Sequence, residues 1–207
     1  MAGPDHLITT IEQLEGLYGQ AMPTSIAKEI GHINAGYRKL IEASPFATIA
    51  TSGPEGLDCS PKGDAPGFVR VIDDRTLCIP DRPGNNRLDG YRNILRDPRI
   101  ALLFLIPGIG ETLRVNGRAE ISLEPELMQA CAVNGKLPRS LLIVHVDTVY
   151  FHCSKAIVRS KLWSEQSKVE RGTLPSTGAL IAELTEGKLG GEAYDRELPE
   201  RIKSMLY

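Results

Sequence analysis

Eight consecutive residues, Pro80-Asp81-Arg82-Pro83-Gly84-Asn85-Asn86-Arg87, have the composition of an anion cradle. Gly84 lets the backbone approach a ligand closely. Asn85 and Asn86 tolerate turn geometry and donate amide hydrogens, and Arg87 offers a bidentate fork. The helical pattern that follows would add the positive end of a helix. Charge-assisted contacts of this kind contribute ~1.5–3 kcal/mol each, so three of them suffice to hold a phosphate. The same residues also describe a polar loop followed by a salt-bridged helix start, and the segment alone does not separate the two.

Other reactive side chains are sparse. His145 lies in an apolar strand pattern and reads as structural. His152 and Cys153 adjoin but lack a third ligand, so no metal site is expected, and Cys153 reads as a buried thiol. The four cysteines are far apart and form no CxxC pair. Free thiols in a reducing compartment fit that spacing better than a disulfide framework. No residue presents itself as a general acid or base, and no catalytic residue is assigned.

Composition narrows the partners. A net charge of −2 and few aromatics (5%) argue against nucleic acid, which needs a basic surplus and stacking platforms. The opening MAGPDHLITT has neither a basic nor an apolar leader segment, and the longest apolar run, Ile100 to Ile106, is too short for a bilayer. A soluble, cytoplasmic protein is expected. A chain of 207 residues, 42% of them hydrophobic, suffices for one cored domain, or for one such domain with a terminal extension.

The elements that must position the cradle follow from periodicity. Thr10 and Gln13 match a capping box ahead of Leu14, Leu17 and Tyr18. From Thr24, the spacing of Ile26, Ile30, Ile33, Tyr37 and Leu40 predicts a second helix closed by Ser44-Pro45. Strands are expected at 46–51, 57–61, 68–72 and 77–79, then a short helix from about Arg87 to Arg96. The apolar run from Arg99 to Ile106 reads as a strand covered on both faces. Residues 112–121 alternate cleanly: Leu113, Val115, Ala119 and Ile121 point one way, Thr112, Arg114, Asn116, Arg118 and Glu120 the other. Gly117 marks a bulge. Glu124-Pro125 opens a helix that Asn134-Gly135 closes, and Leu141 to Phe151 forms a last strand. Six or so hairpin-connected strands with helices at both ends predict a small antiparallel barrel.

Four segments together carry a resemblance. TLCIPDRPGNNRLDGYRNILRDPRIALLF resembles the strand, phosphate loop, helix and strand of pyridoxamine 5′-phosphate oxidase-like proteins. ETLRVNGRAEI is similar to that superfamily's next strand, FATIATSGPEGLDCSPKG to its two opening strands, and the HCSKAIVRSKLW segment to one branch of FMN-dependent members. The resemblance spans roughly residues 40 to 165. It implies a mainly β fold with flanking helices, a split antiparallel β-barrel of the FMN-binding type. The expected organisation is an N-terminal helical extension (1–45), the barrel (46–165) and a C-terminal helical extension (166–207).

What the resemblance implies for function is an FMN-dependent oxidoreductase acting as a homodimer on a small-molecule substrate or electron donor. Ser60, Lys62 and Gly63 would lie along the flavin and its ribityl chain. Pro80 and Asp81 would border the isoalloxazine edge, and Asn85, Asn86 and Arg87 would hold the phosphate. Thr112 stands where the oxidases place a cofactor-contacting glutamine. Lys155, Arg159, Ser160 and Trp163 would come from the other subunit. The basic C-terminal segment of true pyridoxamine phosphate oxidases is missing, so that amine is not the expected substrate. A deazaflavin-dependent reductase, or a non-catalytic flavin or haem binder, remain alternatives.

Overall fold

The computed structural model describes residues 6–207. Three helices lead in: α1 (Ile11–Tyr18), α2 (Pro23–Ala27) and α3 (Ala35–Ala43). Seven strands follow, β1 (Phe46–Gly53), β2 (Gly56–Gly63), β3 (Arg70–Val71), β4 (Thr76–Pro80), β5 (Arg99–Leu105), β6 (Thr112–Ser122) and β7 (Leu141–His152). Helix α4 (Asp89–Arg96) joins β4 to β5, and α5 (Pro125–Ala130) joins β6 to β7. The chain ends in α6 (Lys155–Ser160), α7 (Thr177–Leu184) and α8 (Gly191–Ser204).

The strands form one antiparallel sheet in the order β2-β1-β5-β6-β7-β4-β3. The sheet is not closed. Its ends, β2 and the β4–β3 pair, meet across a seam that side chains bridge, because Lys62 on β2 reaches Asp81 just beyond β4. This is a split barrel. Its core gathers alternate positions along the strands, including Ile49, Leu102, Phe104, Leu113, Val115 and Val149. Ser44 pins the entry to β1, its hydroxyl shared between the carbonyls of Phe46 and Leu105 at 2.7 Å each.

The alternation over 112–121 holds, and the β6–β7 register slips between Asn116 and Gly117. A side chain at Gly117 would collide with the His145 carbonyl oxygen, so the bulge requires glycine for close approach of two backbones.

Several elements differ from expectation. The helical spacing over 24–40 is split. Ile30 leaves the helix to form a bridge with Val149, and Asn34 caps a new start by accepting from the Tyr37 N–H. The apolar period was therefore shared by two short helices and a sheet contact. The strand expected over 68–72 shrinks to Arg70–Val71, leaving Phe68 and Val69 buried outside the ladder. Helix α4 begins at Asp89 rather than Arg87, because Asn86 adopts a left-handed conformation (φ +58°) that no helix accommodates. Helix α5 ends by Cys131, and Asn134-Gly135 instead turns a tight bridge between Val133 and Lys136. Strand β5 buries Ile100, Leu102 and Phe104, but its other face, Ala101, Leu103 and Leu105, is only half covered by this chain.

Candidate functional site

The seam of the barrel is where chemistry-bearing residues collect. Along β2, Asp58, Ser60 and Lys62 are half-buried while Leu57, Cys59 and Pro61 point to solvent. The inward row of an edge strand is thus polar, where a core strand would place apolar residues. Ser60 donates to Asp58 at 2.8 Å, and the Lys62 ammonium donates to Asp81 at 2.7 Å while lying over the Tyr91 ring.

Facing this row is the loop from Asp81 to Leu88. Its base is tied to the segment before β7: Asp81 N–H donates to the Ser140 carbonyl (2.9 Å) and Arg139 N–H to the Asp81 carbonyl (3.0 Å). The Asn85 side-chain oxygen accepts from the Arg87 N–H at 3.0 Å, and that of Asn86 accepts from the Arg139 guanidinium. A Cβ at Gly84 would meet no protein atom, so that glycine faces open space in the cleft instead of filling a packing requirement.

Between strand and loop lies a cleft of about 500 Å³, within the range of small-molecule sites. Ser60, Lys62, Gly63, Pro80, Asn85 and Arg87 all line it. Asp81 and Asn86 line an adjoining hollow of about 360 Å³ behind the loop, with Tyr91, Arg139 and Ser140. The Tyr91 hydroxyl is buried there without a hydrogen-bond partner, and burial with the nearby Asp81 charge pushes the phenol far above its usual range.

The charges are mixed. Lys62, Arg82 and Arg87 bring positive charge to the cleft, and Asp58 and Asp89 bring negative charge. Arg87 pairs with Asp89, the salt-bridged helix start that the sequence left open, and this bond raises the guanidinium pKa further. Yet the Arg87 side chain is 78% exposed, and an exposed pair of this kind is easily exchanged for a stronger anion. Arg82 turns away, to Asp64 at 2.8 Å and the Cys131 carbonyl at 2.9 Å. The donor set therefore fits a phosphate, provided that Arg87 releases Asp89.

The remaining expected residues lie elsewhere in the chain. Thr112, at the start of β6, is paired in register with His152. Lys155, Arg159 and Ser160 are exposed on α6, and the Trp163 indole N–H donates to the Ile109 carbonyl at 2.8 Å. None of them lines the cleft of its own chain. Pattern reading overlooked Asp58, Asp89, Tyr91 and Arg139, and gave Arg82 no role of its own within the cradle. Asp58 was accessible to it, being two residues before Ser60 on the same strand face.

One minor expectation is corrected. Cys153 is exposed, as is Cys59, because each sits on an outward position at or beyond a strand end or edge. His145, read as structural, faces outward on its strand, 3.4 Å from Glu120. The His152 Nε2 is buried without a partner, and burial, then Arg114 and Lys28, lower the imidazole pKa. Among the described residues no group of three potential metal ligands comes together, and no helix is long and apolar enough to cross a membrane.

Comparison with known proteins gives the family. Among solved structures, HupZ from Group A Streptococcus is 23% identical with a TM-score of 0.48, covering 59% of this chain and 95% of its own. General Stress Protein 26 from Bacillus anthracis is 15% identical with a TM-score of 0.43, covering 55% and 88%. No curated protein matches this sequence. Residues 33–153, more than half of the chain and all seven strands, match the family model described as pyridoxamine 5′-phosphate oxidase, and the chain belongs to that family.

Proposed function

We propose that the protein is an FMN-binding oxidoreductase whose flavin lies in the seam cleft, with the cofactor site completed by a second subunit. The observation that carries this reading is the convergence of Ser60, Lys62 and Gly63 from β2 with Pro80, Asn85 and Arg87 from the opposite edge on one cleft. Two segments more than fifteen residues apart in sequence, each suited to an anionic cofactor, share one volume only because the barrel is split.

In this reading Arg87, Asn85 and the open backbone at Gly84 hold the phosphate, and Asn86 keeps the loop in shape through Arg139. Lys62, already oriented by Asp81, supplies a positive charge along the cofactor. Bound flavin supplies hydride transfer, and the chain contributes position and electrostatics. Lys155, Arg159, Ser160 and Trp163 act across the subunit interface, which accounts for their absence from the cleft of their own chain.

A homodimer is also favoured by uncovered apolar surface. Helix α1 buries none of its residues and exposes Ile11, Leu14, Leu17 and Tyr18, Leu57 is 89% exposed, and one face of β5 is half bare. Pyridoxamine phosphate is not the expected substrate, since the chain beyond α6 builds helices α7 and α8 in place of a basic substrate segment. The reading is tested by the absorbance spectrum of the purified protein and by stopped-flow mixing with NAD(P)H. A flavin spectrum that bleaches on mixing supports an oxidoreductase. A flavin that never bleaches marks a binder, and a deazaflavin or haem spectrum overturns the cofactor.

A further inference from the structure

Helix α8 packs along α7 and leaves a groove of about 710 Å³ between itself and the loop that carries the cofactor cleft. Its helix-side wall is Tyr194, Leu198, Ile202, Met205 and Leu206, and the opposite wall is formed by residues 63–65 and 82–85. Tyr194, Leu198 and Ile202 recur every four residues, so they form a single stripe on one helix face. The groove shares Gly63, Arg82, Gly84 and Asn85 with the seam cleft. The two volumes are thus neighbours across a single loop.

Three charged side chains line this groove: Asp64, Arg82 and Arg201. Asp64 and Arg82 neutralise each other at 2.8 Å, with side chains only 5% and 16% exposed. The second Asp64 oxygen accepts from the Tyr207 hydroxyl at 2.6 Å, and Arg82 lies under the Tyr207 ring. These contacts hold Tyr207 against the groove wall. Arg201 differs. Its guanidinium rests 4.2 Å from the centre of the Tyr194 ring, and among the described residues it forms no ion pair. Apart from this mutually neutralised pair and Asn85, the side chains lining the groove are apolar or aromatic, and Arg201 is the one side-chain cation among them without an ion pair, held against an aromatic face.

We propose that this groove is a binding site for an amphipathic monoanion, an apolar body ending in a carboxylate or sulfonate, with Arg201 reading the anionic group. Stacking on Tyr194 leaves the outer edge of the guanidinium free for a bidentate contact. Leu198, Ile202 and Met205 cover the apolar body. Its role as the substrate site rests on the cofactor reading above; its existence as a binding site does not. The match of the family model ends at residue 153, so α8 belongs to the part of the chain outside that match.

The test uses full-length protein, with and without saturating FMN, and two fluorescent probes. 1-Anilinonaphthalene-8-sulfonate carries the anion, and N-phenyl-1-naphthylamine has the same rings without it. Wild type is expected to bind both saturably. Arg201→Gln should weaken the sulfonate at least about tenfold and leave the neutral probe unchanged. Arg201→Lys should recover part of the loss, and Ile202→Asp should weaken both probes. FMN titrations of the same proteins should superimpose. Equal loss of both probes in Arg201→Gln, no loss of either, or failure of wild type to bind the sulfonate because a second copy covers the groove, would each overturn the proposal. Arg201-dependent binding in a protein that takes no FMN would refute the cofactor reading and leave this site standing. FMN binding without probe binding would do the reverse.

Discussion

The Lys62 ammonium and the Asp81 carboxylate meet at 2.7 Å across the open seam of the barrel. No backbone hydrogen bond joins β2 to β4 in the sheet order, so this pair is a direct clasp between the two sheet ends that frame the cleft. Both side chains are less than a quarter exposed, and Tyr91 packs beneath the lysine. The clasp also fixes a positive charge beside the cleft proposed for the flavin.

Removing one partner of this clasp should cost more than removing both. Asp81→Asn leaves a half-buried ammonium without its counter-ion and should destabilise the fold by about 1–3 kcal/mol. Lys62→Met should cost a similar amount, and the double variant clearly less than the sum, as expected for coupled neighbours. Urea unfolding of the four proteins gives the coupling directly. Additive losses would mean that the two side chains act independently.

Gly117 should tolerate no side chain. Even Gly117→Ala places a methyl group against the His145 carbonyl at the bulge and should cost about 3 kcal/mol or more, because the obstacle is backbone and cannot rotate away. Gly84→Ala, with open space around it, should leave unfolding unchanged and act only on ligand binding. Thermal melts of the two variants, with and without FMN, separate these behaviours.

Much of this architecture was legible in the residues and some was not. The strict alternation of 112–121, with one glycine out of place, announced both the strand and its bulge. The cradle residues were recognisable by type, since Gly, Asn and Arg before a helix have few other uses together. Ile30 was not readable, because its partner Val149 lies 119 positions away and its spacing suits a helix equally well. The groove beneath α8 was hidden for a similar reason. Tyr194, Leu198 and Ile202 describe any amphipathic helix until the loop opposite them is known.

The tail should come loose in acid. Burial alone would raise the Asp64 carboxyl, but bonds from the Tyr207 phenol, the Ala65 N–H and Arg82 outweigh it and hold the group below the ordinary aspartate range. A folded value below the unfolded one stabilises the docked tail fully above pH ~4, and that stabilisation disappears as pH falls through the lower folded value. Hydrogen exchange across α8, corrected for intrinsic rates, should accelerate below pH 4. Asp64→Asn should show fast exchange already at neutral pH and no acid step. An unchanged step in that variant would assign the release to another group.

The uncovered apolar surface carries a prediction about assembly. Light scattering at micromolar concentration should report a dimer, with an interface of order 2,000 Å² or more. Ile11→Asp combined with Leu14→Asp should weaken the dimer if α1 lies in that interface. A monomer that still binds FMN tightly would show that one chain completes the site alone.

The central claim is that the seam cleft holds FMN with its phosphate at Gly84, Asn85 and Arg87. Titration calorimetry of FMN and riboflavin against wild type, Arg87→Ala, Arg87→Lys and Asp89→Asn tests it most directly. Arg87→Ala should weaken FMN by roughly 10- to 100-fold, since a dianion loses a charged partner while Asp89 is left unpaired beside it. Arg87→Lys should recover only part, because a point charge cannot reproduce the fork. Asp89→Asn should tighten FMN by freeing Arg87 and removing a repulsive charge. Riboflavin, with the same ring and ribityl chain but no phosphate, should bind all four proteins equally. Equal losses of both ligands in Arg87→Ala, or no loss of either, would contradict the claim and place the phosphate elsewhere.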